Sequence, residues 1–307
     1  MKVLVSGATG HVGSRLAVNL RDAGLDVGIT SRQNLGEDDW VHGLRVHLTG
    51  DVRNTHWDEI LDDYTHVVHL VSPLEGDCQR RPDEARGVVV EGSRKLGESA
   101  ARAGIQVVYL STSQVYGPTP LGMIDESSPC RASTVYAEVH LLAEHLLRDV
   151  LGDKVTIVRL SNSVGIPSNP RCDAWHLVAH DLAREAASSG SITLRSSGLQ
   201  HRSFVPLSEV SRALRFILEY PLPLELVNVA NPVSESVRSM AARIARMYAE
   251  KKLKEVLRNF PEPQDGETEN PFSISSPKLA AAGFIPNCEA GLELELATIF
   301  GLFSLAS

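Results

Sequence analysis

The chain has 307 residues, of which 43% are apolar and 22% charged, a globular composition that excludes a collagen-like, coiled-coil or disordered protein. Its formal charge is −8, and no block of basic residues could neutralise a run of phosphates, so duplex nucleic acid is not an expected partner. The length fits one large α/β domain, or one domain with an appended lobe.

Short runs rich in Val and Ile alternate with helical patterns through the first half of the chain. The predicted strands are Val3–Val5, Val27–Ile29, Leu44–Leu48, Val67–Val71, Val107–Leu110 and Val155–Leu160. The predicted helices lie around 11–23, 54–62, 82–103 and 134–151. Strands that are apolar on both faces belong in a parallel sheet, and the helices supply the crossovers between its strands. The predicted fold class is therefore α/β, with a doubly wound parallel sheet.

Beyond residue 165 the alternation of strands and helices weakens. Prolines interrupt the pattern, and a helical stretch follows from Ser234 to Arg258. We predict an amino-terminal domain at 1–165 and a smaller lobe at 166–307, some segments of which return to the sheet.

A glycine-rich turn follows the first predicted strand and opens the first helix. Gly7 permits a tight turn, Gly10 lets backbone amides approach a pyrophosphate, and Gly13 lets the helix lie close to the strand. The helix N-terminus adds about half a positive charge. This context predicts a dinucleotide cofactor. The expected contacts in the turn are Gly7, Thr9, Gly10, His11, Val12 and Gly13.

The end of the second strand bears on the choice between NAD and NADP. An NAD site usually offers a carboxylate to the ribose 2′-hydroxyl, but this segment reads Thr30-Ser31-Arg32-Gln33. Arg32 can pair with a 2′-phosphate and Ser31 can hydrogen-bond it, which favours NADP over NAD. The alternative is a solvated surface arginine. Asp51, after the third strand, is expected to reach the adenine, or else is a plain turn residue.

Two further segments complete a family pattern: Ser111–Gly117 (STSQVYG) on the fifth strand and Tyr136 at a helix start. Together these motifs resemble the extended short-chain dehydrogenase/reductases, in their nucleotide-sugar epimerase, dehydratase and reductase branch. The agreement continues in order through His69-Leu70, Asp125-Glu126, Arg159–Gly165, Gln200–Val205 and Lys278–Phe284. It implies a Rossmann-type sheet with a smaller carboxy-terminal substrate lobe and an NAD or NADP cofactor, with Val52 and Leu70 as further cofactor contacts.

In that family a Ser or Thr hydroxyl, a Tyr and a Lys four residues after the Tyr carry the chemistry. By position these are Thr112, Tyr136 and, where the lysine is expected, His140. Free tyrosine has a pKa of ~10, and an ammonium ~4 Å away at an effective dielectric of ~20 contributes roughly 4 kcal/mol toward lowering it. A neutral histidine beside an oxidised nicotinamide gives the tyrosine little such help.

Three interpretations of His140 stay open. It can hydrogen-bond the nicotinamide ribose as a working substitute, mark a degenerate site, or be a structural helix residue. Reduction suffers least from the missing lysine, because it needs Tyr136 as an acid, and the protonated phenol already is one.

The resemblance also places substrate residues. Asn162 and Arg202 correspond to residues that approach the diphosphate, although a loop cap and a surface ion pair are the respective alternatives. Ser113 and Gln114 stand where dehydratases carry Asp and Glu, which disfavours a 4,6-dehydratase.

The expected function is an NADP-linked reductase of a keto group on a nucleotide-activated sugar. The alternatives are a 4-epimerase with tightly bound NAD and a catalytically silent dinucleotide-binding protein. By resemblance we expect a homodimer that pairs the helix beginning near Ser133.

Metal and membrane signals are weak. The four cysteines form no CxxC pair, and His176 and His180 near Cys172 lack an HExxH pattern, so we predict neither a bound metal nor a disulfide frame. No run approaches the ~18 apolar residues of a membrane span, and the apolar start is too short for a signal peptide. We expect a cytoplasmic protein without a membrane partner.

Overall fold

The structure is a computed structural model that describes residues 1–36, 38–118, 122–220, 224–252 and 255–303. Its strands are β1 (Lys2–Ser6), β2 (Asp26–Ser31), β3 (Arg45–Leu48), β4 (His66–His69), β5 (Gln106–Thr112), β6 (Gly122–Ile124), β7 (Val155–Leu160), β8 (Asn162–Val164), β9 (Ser191–Thr193), β10 (His201–Arg202), β11 (Phe204–Pro206), β12 (Leu226–Val229), β13 (Glu235–Ser236), β14 (Leu257–Asn259) and β15 (Phe272–Ile274). Its helices are α1 (His11–Asp22), α2 (Trp57–Leu61), α3 (Glu75–Arg80), α4 (Pro82–Arg86), α5 (Gly92–Ala103), α6 (Val135–Leu151), α7 (Val178–Ser189), α8 (Leu207–Glu219), α9 (Val237–Lys252), α10 (Pro277–Ala281) and α11 (Cys288–Leu302).

Seven parallel strands form the main sheet in the order β3-β2-β1-β4-β5-β7-β12. The strand order reverses between β1 and β4, and in open α/β sheets such a reversal leaves a crevice at the carboxyl ends of the strands. All six predicted strands lie in this sheet, and the Rossmann-type doubly wound fold is confirmed. The seventh strand, β12, comes from the second half of the chain.

Apolar side chains fill both faces of the sheet and a separate core. One cluster joins α1 and α8 on one face, and a second joins α2, α5 and α6 on the other. A third cluster packs α7, α9 and α11 together, away from the seven strands. The edge strand β3 is the exception to the predicted burial on both faces, because Leu48 at its end is 67% exposed.

The long helical stretch predicted at Ser234–Arg258 is shorter in the structure. Among the described residues of this stretch, the helix is Val237–Lys252, while Glu235–Ser236 pairs with β10 and Leu257–Asn259 pairs with β9. Strands of two or three residues are too short to show a period of their own, so the helical pattern hides them. The fourth strand likewise ends at His69, two residues earlier than predicted.

A buried ion pair fastens α6 to the sheet. The Arg159 guanidinium of β7 donates to the Glu144 carboxylate of α6 over 2.7 and 3.0 Å, and both side chains are at most 5% exposed. The Ser111 hydroxyl donates to the same carboxylate over 2.5 Å. The Arg159 guanidinium also stacks 4.9 Å from the Tyr116 ring centre. The helix that carries Tyr136 is therefore held to β5 and β7 by charge-assisted hydrogen bonds.

Replacing one partner of this pair is expected to destabilise the fold strongly. Glu144→Leu leaves the Arg159 charge buried without its partner, and we expect the free energy of unfolding to fall by about 3–5 kcal/mol. Asp63→Ala breaks the exposed pair with Arg45 and is the control, with an expected loss of about 0–1 kcal/mol. Urea unfolding measures both. A double variant, Glu144→Leu with Arg159→Met, should recover part of the loss, and equal losses in single and double variants would contradict this account.

Candidate active site

The glycine turn forms a cradle that has no room for side chains. Gly7 has a φ of +82°, and a Cβ there would lie 2.9 Å from the Leu70 carbonyl carbon. A Cβ on Gly13 would lie 2.4 Å from the Gly7 oxygen. Helix α1 begins directly after Gly10, and no side chain caps its first amides. This open helix N-terminus at the carboxyl end of β1 fits the pyrophosphate of a dinucleotide.

The side chain of His11 makes its hydrogen bond outside the glycine cradle. Its Nε2 lies 2.8 Å from the Gly165 carbonyl oxygen, and His180 Nε2 lies 2.7 Å from the same oxygen. Burial lowers the pKa of His11 to about 4, so the ring is neutral. His11 therefore offers a cofactor only its backbone, while its ring ties α1 to the segment after β8. Thr9 is tied similarly, since its carbonyl accepts from Asn169 Nδ2 at 2.8 Å.

The residues predicted to contact the adenosine part of the cofactor differ in whether their side chains are already hydrogen-bonded within the protein. The buried Ser31 hydroxyl donates to the Gln33 carbonyl at 2.6 Å and accepts from the Gln33 amide, so it closes a local turn. Arg32 is exposed, and no hydrogen-bond partner of its side chain is found among the described residues. Asp51 binds Arg53 through both carboxylate oxygens at 2.9 and 2.6 Å, which holds the pKa of Asp51 at about 2. Of these residues, Arg32 is the one whose charged side chain makes no hydrogen bond among the described residues, although its charge also helps to lower the pKa of Asp51.

Thr112 and Tyr136 meet at the carboxyl edge of the sheet. Thr112 ends β5, and Tyr136 lies in the first turn of α6, whose N-cap hydroxyl on Thr134 accepts from the Ala137 amide. Burial, with smaller contributions from Cys78 and Glu75, raises the pKa of Tyr136 to about 12, and the Thr112 and Ser72 hydroxyls partly oppose the rise. The phenol is therefore fully protonated at neutral pH.

His140 is a neutral residue with both ring nitrogens engaged. Nε2 lies 3.0 Å from the Ser72 hydroxyl, and Nδ1 lies 2.8 Å from the Tyr109 hydroxyl. The side chain is 2% exposed, and burial, followed by His69, lowers the pKa of His140 to about 3. The ring lies 4.7 Å from the Tyr136 ring. In this geometry His140 supplies neither a positive charge nor a free ring nitrogen for a ribose hydroxyl.

Several residues of the site were not predicted as site residues from the sequence. They are Ser72, Tyr109, His69, Glu75 and Cys78. His69 is fully buried, its Nδ1 lies 3.3 Å from the Ser6 hydroxyl, and its Nε2 has no partner among the described residues. A usable signal was present for Ser72, because it follows a buried parallel strand at the edge where ligands bind. No comparable signal marks Tyr109, which reads as an ordinary core residue of β5.

The predicted substrate residues occupy two places. Ser113 and Gln114 form the turn after Thr112, and Gln114 Nε2 donates to the Glu75 carboxylate at 3.1 Å. Asn162 is exposed at the start of β8, opposite Phe204 of β11. Arg202 is half-buried on β10, two residues before Phe204. Pairing of β8 with β11 therefore brings Asn162 and Arg202 near each other, beyond the carboxyl end of β7.

The structure also places the two histidines near Cys172 and allows a search for metal ligands and membrane-spanning helices. His176 precedes α7, whereas His180 lies within it and contacts Gly165. Across the described ranges, no three His, Cys, Asp or Glu side chains are grouped so that they could hold a metal. The helices of the described part of the chain are too short or too polar to cross a bilayer.

Comparisons with known proteins identify the family of this chain. The model of the NAD dependent epimerase/dehydratase family matches residues 3–230, and the chain belongs to that family. It is 26% identical over 268 residues to dTDP-D-glucose 4,6-dehydratase of Mus musculus, covering 81% of this chain and 73% of that protein. It is 25% identical over 263 residues to UDP-glucuronic acid decarboxylase 5 of Arabidopsis thaliana, covering 80% and 74%.

The fold is shared with solved members of the family. The structure of Thermus thermophilus UDP-glucose 4-epimerase in complex with NAD superimposes with a TM-score of 0.80 at 24% identity, covering 98% of this chain and 99% of that one. The resemblance stated from the sequence motifs is thereby confirmed at the level of family and fold. The relatives catalyse different reactions, so the family alone does not select one.

Buried neutral histidines should make the fold sensitive to acid. Burial lowers the pKa of His69 to about 4, whereas an unfolded chain gives a histidine a pKa of ~6.5. The unfolded state therefore binds more protons below that pH, and His69 is expected to remove about 2 kcal/mol from the free energy of unfolding between pH 8 and pH 5. His69→Asn removes this titration and should flatten the pH dependence by that amount.

Urea unfolding at both pH values tests this, with His56→Asn at an exposed position as the control. An unchanged pH dependence in His69→Asn would show that His69 does not titrate as the buried geometry requires.

Proposed function

We propose that the protein is an NADP-linked oxidoreductase that reduces a keto group on a nucleotide-activated sugar. Tyr136 donates the proton to the carbonyl oxygen, and Thr112 hydrogen-bonds the same oxygen. The observation that carries the proposal is the protonated phenol of Tyr136 beside a neutral His140. Such a pair can give a proton to a developing alkoxide, but it is poorly suited to taking one.

A nicotinamide cofactor supplies the hydride in this chemistry. The cradle of Gly7, Gly10 and Gly13 and the first amides of α1 would hold its pyrophosphate, and Asp51 and Val52 lie at the end of β3 where the adenine is expected. Leu70 forms the wall of the cradle opposite Gly7. His140 enters the proposal as a neutral hydrogen-bonding residue and not as a ribose ligand.

The choice of NADP rests on Arg32. It is exposed at the end of β2, where a 2′-phosphate is recognised in this fold, and no carboxylate stands in its place. Ser31 does not share this role in the proposal, because its hydroxyl is bonded to the Gln33 backbone.

An epimerase with tightly bound NAD is the second candidate, supported by the solved relative described above. Its cycle begins with proton removal from a sugar hydroxyl. A phenol of pKa about 12 is ionised in roughly one molecule in 10⁵ at pH 7, and no lysine lowers that pKa here. A silent dinucleotide-binding protein is the third candidate.

The remaining assignments belong to the same proposal. Residues 1–165 form the cofactor domain and 166–307 the substrate lobe, with α8 and β12 returned to the main sheet. Asn162 and Arg202 would face the diphosphate, and Ser113 and Gln114 the sugar. A homodimer through α6 and its neighbours is proposed by family resemblance.

Removing the Arg32 charge should change cofactor selectivity without changing stability. We expect Arg32→Ala to raise the Kd for NADPH about tenfold and to leave the Kd for NADH unchanged, because only NADPH carries the 2′-phosphate. Fluorescence titration of both dinucleotides measures this. Arg45→Ala is the control, because Arg45 begins β3 and so lies at the end of the sheet opposite to the carboxyl ends of the strands. Wild-type protein that binds NADH as tightly as NADPH would contradict the choice of NADP.

Activity distinguishes the three candidates. With NADPH and a set of keto-sugar nucleotides, we expect oxidation of NADPH that Tyr136→Phe slows by about 10²–10⁴-fold. Tyr220→Phe, whose ring stacks on Phe216 away from the site, is the control. Interconversion of 4-epimers without added cofactor, together with NAD that copurifies, would instead establish the epimerase. Cofactor binding without turnover would establish the silent protein.

A further inference from the structure

Three side chains form a continuous hydrogen-bonded chain behind Tyr136. The Tyr109 hydroxyl lies 2.8 Å from His140 Nδ1, and His140 Nε2 lies 3.0 Å from the Ser72 hydroxyl. The Ser72 hydroxyl donates to the Pro73 carbonyl at 3.0 Å. The three residues come from β5, α6 and the segment after β4, so the chain joins elements that are distant in sequence.

The donors and acceptors of this chain have one consistent direction. A carbonyl oxygen only accepts, so Ser72 uses its single proton on Pro73 and must accept from His140. Nε2 of His140 therefore carries the ring proton, and Nδ1 accepts from the Tyr109 hydroxyl. The order Tyr109 to His140 to Ser72 gives both ring nitrogens of His140 a partner in a buried place where an unpaired group would be costly.

The chain passes beside Tyr136, whose ring centre lies 4.7 Å from that of His140. The Ser72 and Thr112 hydroxyls lower the pKa of Tyr136, against the larger effect of burial, and so favour its ionised form. Glu75, Cys78 and the neutral His69 also face this region, and none of them is a cation. Ser72 is thus a hydroxyl next to the Tyr136 site whose place is set by other residues and whose proton lies on Pro73 while the phenol is protonated.

We propose that Ser72, oriented by Tyr109 and His140, stabilises the Tyr136 phenolate and takes over the support that a lysine gives elsewhere in the family. The inference rests on the proposed reduction. When the Tyr136 O–H bond breaks, the proton forms a new O–H bond on the substrate oxygen and the electron pair stays on the phenolate. The Ser72 hydroxyl then rotates from Pro73 to the phenolate, and His140 continues to donate to the Ser72 oxygen.

A neutral chain can do this work because each hydrogen bond polarises the next. Donation from His140 Nε2 makes the Ser72 hydroxyl a better donor, and the low dielectric around the buried ring strengthens the effect. Ser72 and His140 are therefore positioning residues that act through Tyr136, and Thr112 is the second donor to the same phenolate.

The direction of the chain can be measured without any substrate. In ¹⁵N-histidine NMR of the wild-type protein, we expect a buried ring in the Nε2–H form that stays neutral from pH 8 to pH 5, and His140→Gln assigns it. Ser72→Ala should change the shift of its Nε2, whereas Ser234→Ala should not. Ser234 is the matched control because its hydroxyl also bonds a histidine ring, His201, at 3.1 Å. An Nδ1–H form of His140 would overturn the proposal.

The effect on the phenol can also be measured in the free protein. With [¹³Cζ]tyrosine labelling and Tyr136→Phe to assign the signal, Ser72→Ala should move the onset of Tyr136 ionisation to higher pH than in the wild type or Ser234→Ala. An unchanged onset would overturn the role given to Ser72, whether or not a substrate is known.

If NADPH oxidation is found, its single-turnover rate gives the third measurement. Ser72→Ala is expected to lower that rate on the order of 100-fold with an unchanged Kd for NADPH, and Ser72→Thr, which keeps the hydroxyl, should restore most of it. A loss no larger than that of Ser234→Ala would overturn the proposal. Absence of turnover in the wild type contradicts the proposed function, and the two NMR measurements still decide the role of Ser72.

Discussion

The contact of one face of α6 with β5, β7 and the segment after β4 holds the candidate site together. Tyr136, His140 and Glu144 are four residues apart and so lie on the same side of that helix. Glu144 binds Arg159 and Ser111, and His140 binds Tyr109 and Ser72. Two buried sets of hydrogen bonds behind Tyr136 therefore fix the height and rotation of the helix, and the phenol takes its position from them.

Those two sets are electrostatically different, and the difference bears on the chemistry. The Glu144–Arg159 pair joins a carboxylate and a guanidinium through two short hydrogen bonds, whereas burial keeps His140 neutral. Burying a charged ring at that place would cost several kcal/mol. The region next to Tyr136 is consequently one in which an added proton or a lone negative charge is expensive. A site of this kind holds its proton on the phenol until a substrate oxygen takes it.

The sequence predicts the sheet and the glycine turn well, because each is a local pattern. Apolar strands of four to seven residues alternate with helices, and the turn brings its amides together within seven residues. The role of His140 is not local. Its partners Tyr109 and Ser72 are 31 and 68 residues away, and only the strand order brings them together. The Ser31 hydroxyl shows the reverse case, since a competing bond to Gln33, two residues away, removes it from the predicted phosphate contact.

Members of one family share this fold while differing in reaction, so the difference must come from a few groups around the hydride-transfer position. Elimination of water needs an acid and a base next to Thr112, and this chain has Ser113 and Gln114, whose amide is bonded to Glu75. Oxidation of a hydroxyl needs a phenolate at neutral pH, and here the phenol is protonated and a lysine is lacking. Reduction of a keto group needs neither the acid and base pair nor a phenolate at neutral pH. Ser113, Gln114 and His140 replace groups that the family pattern assigns to the other reactions, and each leaves Tyr136 and Thr112, the residues of the proposed reduction, in place.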